Sequence, residues 1–351
     1  MSANGREGAA VAVRLSDVAL RAGVSVKTVS NVVHGYVHVR PETRARVQAA
    51  LDELNYRPNL SARSLRQGRS GLIALAVPAL DMPYFAELAQ IVVDAADERG
   101  WTVLVDQTSG DPQREREVAS GLRGHLIDGL ILSPVALEAD ELARTPGETP
   151  LVLLGERIAG GPLDHVAVDN VAAARAATEH LLGLGRRRVA AIGYQSRQHS
   201  SSGVAALRRR GYEEALAAAG LGVDPSLAPR VTDYRRSDGA EAMASLLDLT
   251  DPPDAVFCFN DPLALGAMRL LGDRGMRVPE DVAVIGFDDI EDGRYSMPSL
   301  STVAPGKRSI GRTAVEMLDE RISRRSDLSP RDVRVEFEVL ARESTLGRGG
   351  T

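Results

Sequence analysis

From Gly71 onward the sequence alternates short apolar runs with amphipathic stretches of roughly 10 to 20 residues, a spacing that leaves few folds open. The runs are GLIALAVP (71–78), WTVLVDQT (101–108), GLILSP (129–134), LVLLGE (151–156), HVAVDN (165–170), RVAAIGY (188–194), PRVTDY (229–234), AVFCFN (255–260), VAVIGFDD (282–289) and a late RVEFEVLA (334–341). Continuous apolar strands joined by helical crossovers form parallel sheets covered on both faces. The stretch from 71 to 344 is too long for one comfortable core, so it predicts two α/β lobes with a cleft between them.

The first 70 residues read differently. In LSDVALRAGVSVKTVSNVV, residues 15–33, Leu15, Val18, Ala19 and Ala22 share one helical face. Gly23 falls where a chain leaving a helix takes positive φ. Ser25 is placed to cap a second helix. There Val29, Val32 and Val33 face inward, and Val26, Lys27, Ser30 and Asn31 face outward. Two helices pinned this closely form a helix-turn-helix, whose second helix can lie in a DNA major groove; an ordinary helical hairpin is the bland alternative.

A loop follows from His34 to Arg40, and Pro41 opens a third helix, PETRARVQAALDELNY, with Val47, Ala50, Leu51 and Leu54 on one face. The next segment, RPNLSARSLRQGRSG (57–71), is arginine-rich and too poor in apolar residues to be helical alone. It is either a solvated linker or a segment that orders on DNA and drives Leu65 between base pairs in the minor groove. The expected domains are therefore a helix-turn-helix domain at 13–56, a hinge at 57–70, and a two-lobed core at 71–344 that also dimerises.

Charge supports this division. Residues 11–70 carry ten Arg/Lys against four Asp/Glu, while the chain as a whole has a net charge of −6. A basic head on an acidic body is the footprint of a phosphate-backbone binder. The one cysteine, Cys258, lies in an apolar run, and the six histidines are scattered; neither suggests a metal site or a disulfide framework. His34 and His38 read as surface or DNA-proximal side chains. The N-terminus lacks a signal-peptide core and no run reaches membrane-spanning length, so a cytoplasmic protein is expected.

In open α/β sheets, ligands meet the carboxyl ends of the strands. Three of the runs end in polar residues there: Asn260 and Asp261, Asp288 and Asp289, and Asp233 and Tyr234. With a guanidinium from Arg208, Arg209 or Arg210, such groups can satisfy vicinal sugar hydroxyls while an aromatic face covers the ring. Asp261, followed by proline, is either a ligand contact or a helix cap.

Several separate stretches, in order, resemble the LacI/GalR family of bacterial transcription repressors over almost the whole chain. They are LSDVALRAGVSVKTVSNVV, RPETRARVQAALDELNYRPNLSARSL, DMPYFAEL, GLILSP, DNVAAARAATEHLLGLG, RRRGYEEAL, FNDPLALGAM and VPEDVAVIGFDDIE. The resemblance implies an all-α DNA-binding domain, a hinge helix, and a core like the periplasmic sugar-binding proteins. It places Val26 and Lys27 at the base-reading positions, with Asn31 one turn on where many members carry arginine. Asn suits adenine and Arg suits guanine. Leu65 takes the minor-groove wedge position and Ala62 its supporting hinge alanine. Ser16, Ser25, Thr28, Ser30, His38 and Asn59 complete the expected DNA contacts, with Arg63 beside them. In the cleft the resemblance selects Arg208 and Asp288, and adds Tyr84, Phe85 and Tyr234 to Asn260 and Asp261. Glu156 departs from the commoner aspartate one residue earlier, where this chain has Gly155.

The function implied is a homodimeric repressor that reads a pseudo-palindromic operator under control of a small molecule. A carbohydrate is the first expectation for that molecule and a purine-like metabolite the second. A solute-binding protein would explain the core but not the basic head. An enzyme is not expected, because the chain has no GxGxxG opening a helix after a strand, no GxxxxGK[ST], no GxSxG and no HExxH; no cofactor is expected either.

Overall fold

The computed structural model describes residues 13–33, 36, 38–56, 69–120, 126–137, 141–142, 144, 149–155, 162–195, 203–323 and 329–347. They fall into two units, one ending at Ser70 and the other beginning at Gly71.

The first unit contains α1 (Leu15–Ala22), α2 (Val26–Val33) and α3 (Pro41–Glu53). Its core is small: Val18, Ala19, Ala22, Val29, Val32, Val47 and Ala50 are buried, with Leu51 and Leu54 partly so. Burying each of these valines stabilises the unit by about 1.5 kcal/mol or more.

The second unit holds two sheets. The first lobe is built on β1 (Leu72–Val77), α4 (Pro83–Asp97), β2 (Thr102–Gln107), α5 (Pro112–Ala119), β3 (Gly129–Leu132), β4 (Leu151–Leu154) and β5 (Asp164–Val168). The chain then enters the second lobe through α6 (Asn170–Gly183). It continues with β6 (Val189–Ile192), α7 (Val204–Ala218), α8 (Arg236–Leu247), β7 (Ala255–Cys258), α9 (Asp261–Asp273), β8 (Ala283–Phe287), α10 (Glu291–Arg294) and β9 (Ser301–Ala304). It returns to the first lobe for α11 (Lys307–Ser323) and β10 (Asp332–Val335), and ends in the second with β11 (Glu338–Leu340) and α12 (Glu343–Leu346). The sheet orders are β10-β5-β4-β3-β1-β2 and β11-β9-β8-β7-β6. Every pairing is parallel except β11 with β9.

Three sequence expectations are corrected. PRVTDY is not a strand: only an isolated bridge joins Tyr194 to Arg230, and the chain then turns through Tyr234 at φ 59°. RVEFEVLA is two strands in different sheets, broken at Glu336–Phe337 where the chain changes lobe. The strand Ser301–Ala304 went unanticipated because it opens with hydroxyl residues. Ser301 and Thr302 are nevertheless fully buried, their hydroxyls meeting Thr345 at 2.7 Å and Asp261 at 2.6 Å. Buried hydroxyls with partners pass as core.

Candidate functional site

In the first unit, local chemistry fixes the helix pair. Gly23 takes φ 65° and ψ 38°, the left-handed conformation glycine adopts freely. Val24 N–H donates back to the Ala19 carbonyl at 3.1 Å. Ser25 Oγ then accepts from Thr28 N–H at 3.1 Å and lies 2.9 Å from the Thr28 hydroxyl, which caps α2 as the sequence suggested. Val29 and Val32 are buried, whereas Val26 and Lys27 are exposed and Thr28, Ser30 and Asn31 lie at the margin. Beyond α2, Tyr36 N–H donates to the Asn31 carbonyl at 2.9 Å, and its ring meets His38 edge-on at 5.8 Å. Ser16 is exposed on α1.

In the second unit, a cavity of about 700 Å³ lies between the lobes at the carboxyl ends of the strands. Arg208 stands on its floor. Gly211, one turn along α7, lets that helix touch α6, since a Cβ there would come within 2.2 Å of the Val171 carbonyl. Arg208 Nε therefore reaches Asn170 Oδ1 at 2.7 Å, and Nη1 donates to the Phe259 carbonyl. The guanidinium lies 3.5 Å from the Phe287 ring centroid. Nη2 stands 3.8 Å from Asp288 Oδ1, beyond normal hydrogen-bonding range. A ligand hydroxyl can bridge that gap, accepting from nitrogen and donating to carboxylate.

Asp288 follows β8 at φ 116°, its N–H tied to the Val303 carbonyl at 2.9 Å. Tyr234 lines the cavity with its hydroxyl donating to the Gly193 carbonyl at 2.7 Å, and burial pushes its phenol pKa well up. Tyr84 and Phe85, at the start of α4, meet edge-on at 5.1 Å and line the first-lobe wall.

The residues 14–59 match the family described as bacterial regulatory proteins of the lacI family, and 178–345 match the periplasmic binding protein-like domain. The repressor PurR of Haemophilus influenzae is 32% identical over 94% of this chain and 98% of its own. Among solved structures, the regulator CelR in complex with cellobiose is 32% identical over 95% of this chain and 99% of its own, with a TM-score of 0.69. The lac repressor dimer bound to operator and an anti-inducer is 28% identical over 95% of this chain and 99% of its own, with a TM-score of 0.81. The chain belongs to the LacI family. It is a DNA-binding transcriptional regulator of the LacI type.

In this LacI-family chain the structure brings Tyr84, Phe85, Arg208, Tyr234, Asn260 and Asp288 to one cavity. Asp261 is a correction. It is fully buried and off the cavity wall, accepting from Thr302 Oγ1 at 2.6 Å and from Ile290 N–H at 2.9 Å. Burial, and then the negative charge of Asp288, push its pKa well above the carboxylate range. Nor is Asp261 the helix cap: Asn260 fills that role, its Oδ1 accepting from Leu263 N–H at 2.9 Å while Nδ2 donates to the Tyr234 carbonyl at 3.1 Å. Asp289 points elsewhere, into ion pairs with Arg294 at 2.7 Å and Arg342 at 2.5 Å. Burial raises its pKa, but those two cations outweigh it and leave the carboxyl below its usual value. Glu156, Asn59, Ala62, Leu65 and Arg63 lie outside the described residues.

Sequence reasoning missed Asn170, which orients Arg208, and the wall residues Asp81, Gln107, Ser133 and Arg235. Gln107 and Ser133 end or follow strands, so the strand-end rule applied to every strand would have found them. Among the described residues no helix is long and apolar enough to cross a membrane, and no group of three or more His, Cys, Asp or Glu could hold a metal ion.

Proposed function

We propose that this chain is a homodimeric repressor whose grip on a pseudo-palindromic operator is set by a neutral carbohydrate bound in the cleft. The observation that carries the effector class is the Arg208–Asp288 pair. The guanidinium is compensated by a carboxylate, so the floor offers donors and an acceptor without a spare positive charge. That suits a polyhydroxylated neutral ligand. The cellobiose complex of CelR supports the same class, and the operator-bound lac repressor dimer supports the DNA and the twofold partner. Val26, Lys27 and Asn31 read bases, and Thr28, Ser30, Ser16, Ser25 and His38 hold the backbone. Residues 57–70 act as the hinge, with Leu65 as the minor-groove wedge, Ala62 as its supporting alanine and Asn59 as a phosphate or groove contact. A repressor of this kind acts in the cytoplasm, where its DNA is, and its task is regulation rather than catalysis.

A nucleobase effector is the second reading, favoured by the Tyr84–Phe85 pair, against which a planar heterocycle could stack. Thermal-shift measurement on the full chain separates the two. Stabilisation by sugars and none by hypoxanthine or guanine is expected, and the reverse result removes the carbohydrate reading. On the DNA side, fluorescence anisotropy with duplex from upstream of the protein's own gene should show Leu65→Ala weakening specific binding while mixed-sequence binding persists. Equal losses on both duplexes would remove the wedge role.

A further inference from the structure

The cleft is lined by two arginine–aspartate pairs at different depths. The inner pair, Arg208 and Asp288, has 10% of each side chain exposed. The outer pair, Arg235 and Asp81, is joined at 2.8 Å with 56% of each side chain exposed, so it lies at the mouth. Asp81 belongs to the first lobe, just after β1, and Arg235 to the second, just before α8. The outer pair therefore spans the cleft. Tyr234 and Arg235 are adjacent in sequence, and the positive φ at Tyr234 sends its ring inward to Gly193 while the next side chain crosses to Asp81.

Each pair sets N–H donors beside carboxylate acceptors, the complement of a vicinal diol. The chemistry is thus repeated along the cavity. A cavity of about 700 Å³ lies near the middle of the range of roughly 300–1,000 Å³ found for small-molecule pockets, and its polar pairs are spread from floor to mouth. One hexose on the inner pair would leave the outer pair to water. Asp233 adds a third carboxylate to the wall against the two arginines, which disfavours a phosphorylated or carboxylated sugar.

We propose that the cleft takes a neutral carbohydrate of at least two pyranose units, the first on Arg208–Asp288 and the second on Asp81–Arg235. This rests on the reading of the cleft as a carbohydrate site. The second unit touches both lobes at the mouth, so a bound disaccharide holds them together where a monosaccharide does not.

The test is calorimetric titration of the full-length protein with cellobiose, maltose and lactose, with glucose and galactose, and with hypoxanthine. At least one disaccharide is expected to bind about tenfold or more tightly than either hexose, and Asp81→Asn or Arg235→Gln to cost about tenfold in that affinity, the loss of one charge-assisted hydrogen bond. Those two variants should cost several-fold more in disaccharide affinity than in hexose affinity, because the inner pair is untouched. Silence toward all three disaccharides, equal affinity for hexose and disaccharide, or a uniform loss in Asp81→Asn would overturn the two-unit site. A hexose-only response leaves the carbohydrate reading standing; binding of hypoxanthine alone overturns both.

Discussion

The Arg208 guanidinium rests on the face of Phe287, 3.5 Å from the ring centroid, while Nε and Nη1 donate to Asn170 and Phe259 and Nη2 stands 3.8 Å from Asp288. One face and two donors are engaged, so the group is held in one orientation before any ligand arrives, with Nη2 turned to the cavity side beside Asp288. Binding then costs little side-chain ordering.

Arg208→Lys tests this arrangement. Lysine keeps the charge but has neither the planar face nor the forked donors. Effector affinity should fall about 30-fold or more, in line with a lost charge-assisted contact and lost preorganisation. DNA affinity without effector should be unchanged. Calorimetry and anisotropy on the same preparation check both; unchanged effector affinity would mean that Arg208 does not face the ligand.

Asn31 lies on the outer margin of α2, with Val26 and Lys27 exposed one turn earlier. Asparagine pairs with adenine N6 and N7, arginine with guanine O6 and N7. Asn31→Arg should therefore change the preferred base at one position per half-site from adenine to guanine, with discrimination of about 1–3 kcal/mol. Selection from a randomised duplex pool reads the outcome directly, and an unaltered consensus would count against base contact.

Ser25→Ala removes the acceptor for Thr28 N–H at 3.1 Å. Loss of such a cap costs about 1 kcal/mol. In a unit with seven buried apolar residues among those described, that should lower the unfolding midpoint of the DNA-reading head by several degrees. Differential scanning calorimetry of the whole chain should show the core transition in place.

Asp164 ties three elements together. Its carboxylate accepts from Arg321 Nε at 2.8 Å and Nη2 at 2.9 Å, and from Arg331 N–H at 2.9 Å. Burial alone would raise its pKa, but the two arginines outweigh it and hold the carboxyl below the usual 3.8. A lowered pKa contributes stability that is present above the ordinary value and is lost as pH falls through the shifted one. Asp164→Asn should cost about 2–3 kcal/mol near neutral pH, less than a fully buried pair because both arginines are partly solvated. The difference from the parent should shrink as the medium is made acidic, a trend urea titrations can follow; a constant gap would refute it.

How much was legible in sequence depends on how local the signal is. The helix pair was readable because Gly23, Ser25 and the valine spacing act within a few residues. The buried carboxylate of Asp261 was misplaced because adjacent Asn260 and Asp261 share one strand end, and only the packing of β9 decides which of them turns inward to Thr302. Arg235 and Asp81 carried no local mark, since a pair joining two lobes exists only once both are folded. The strand at Ser301 was hidden by its polar residues, whose partners, Ser344, Thr345 and Asp261, lie about forty residues away in sequence on either side.

The order in which the lobes borrow strands also sets a timetable for synthesis. A ribosome releases the DNA-reading head first, and most of the first lobe soon after, at about 5–20 residues per second. Yet that lobe's sheet keeps an open edge at β5 until residues 332–335 emerge to lie beside it. Translation that stops short of them yields a chain with its helix-turn-helix finished and its first lobe still missing an edge strand. The first lobe's sheet is complete only once those residues have paired with β5.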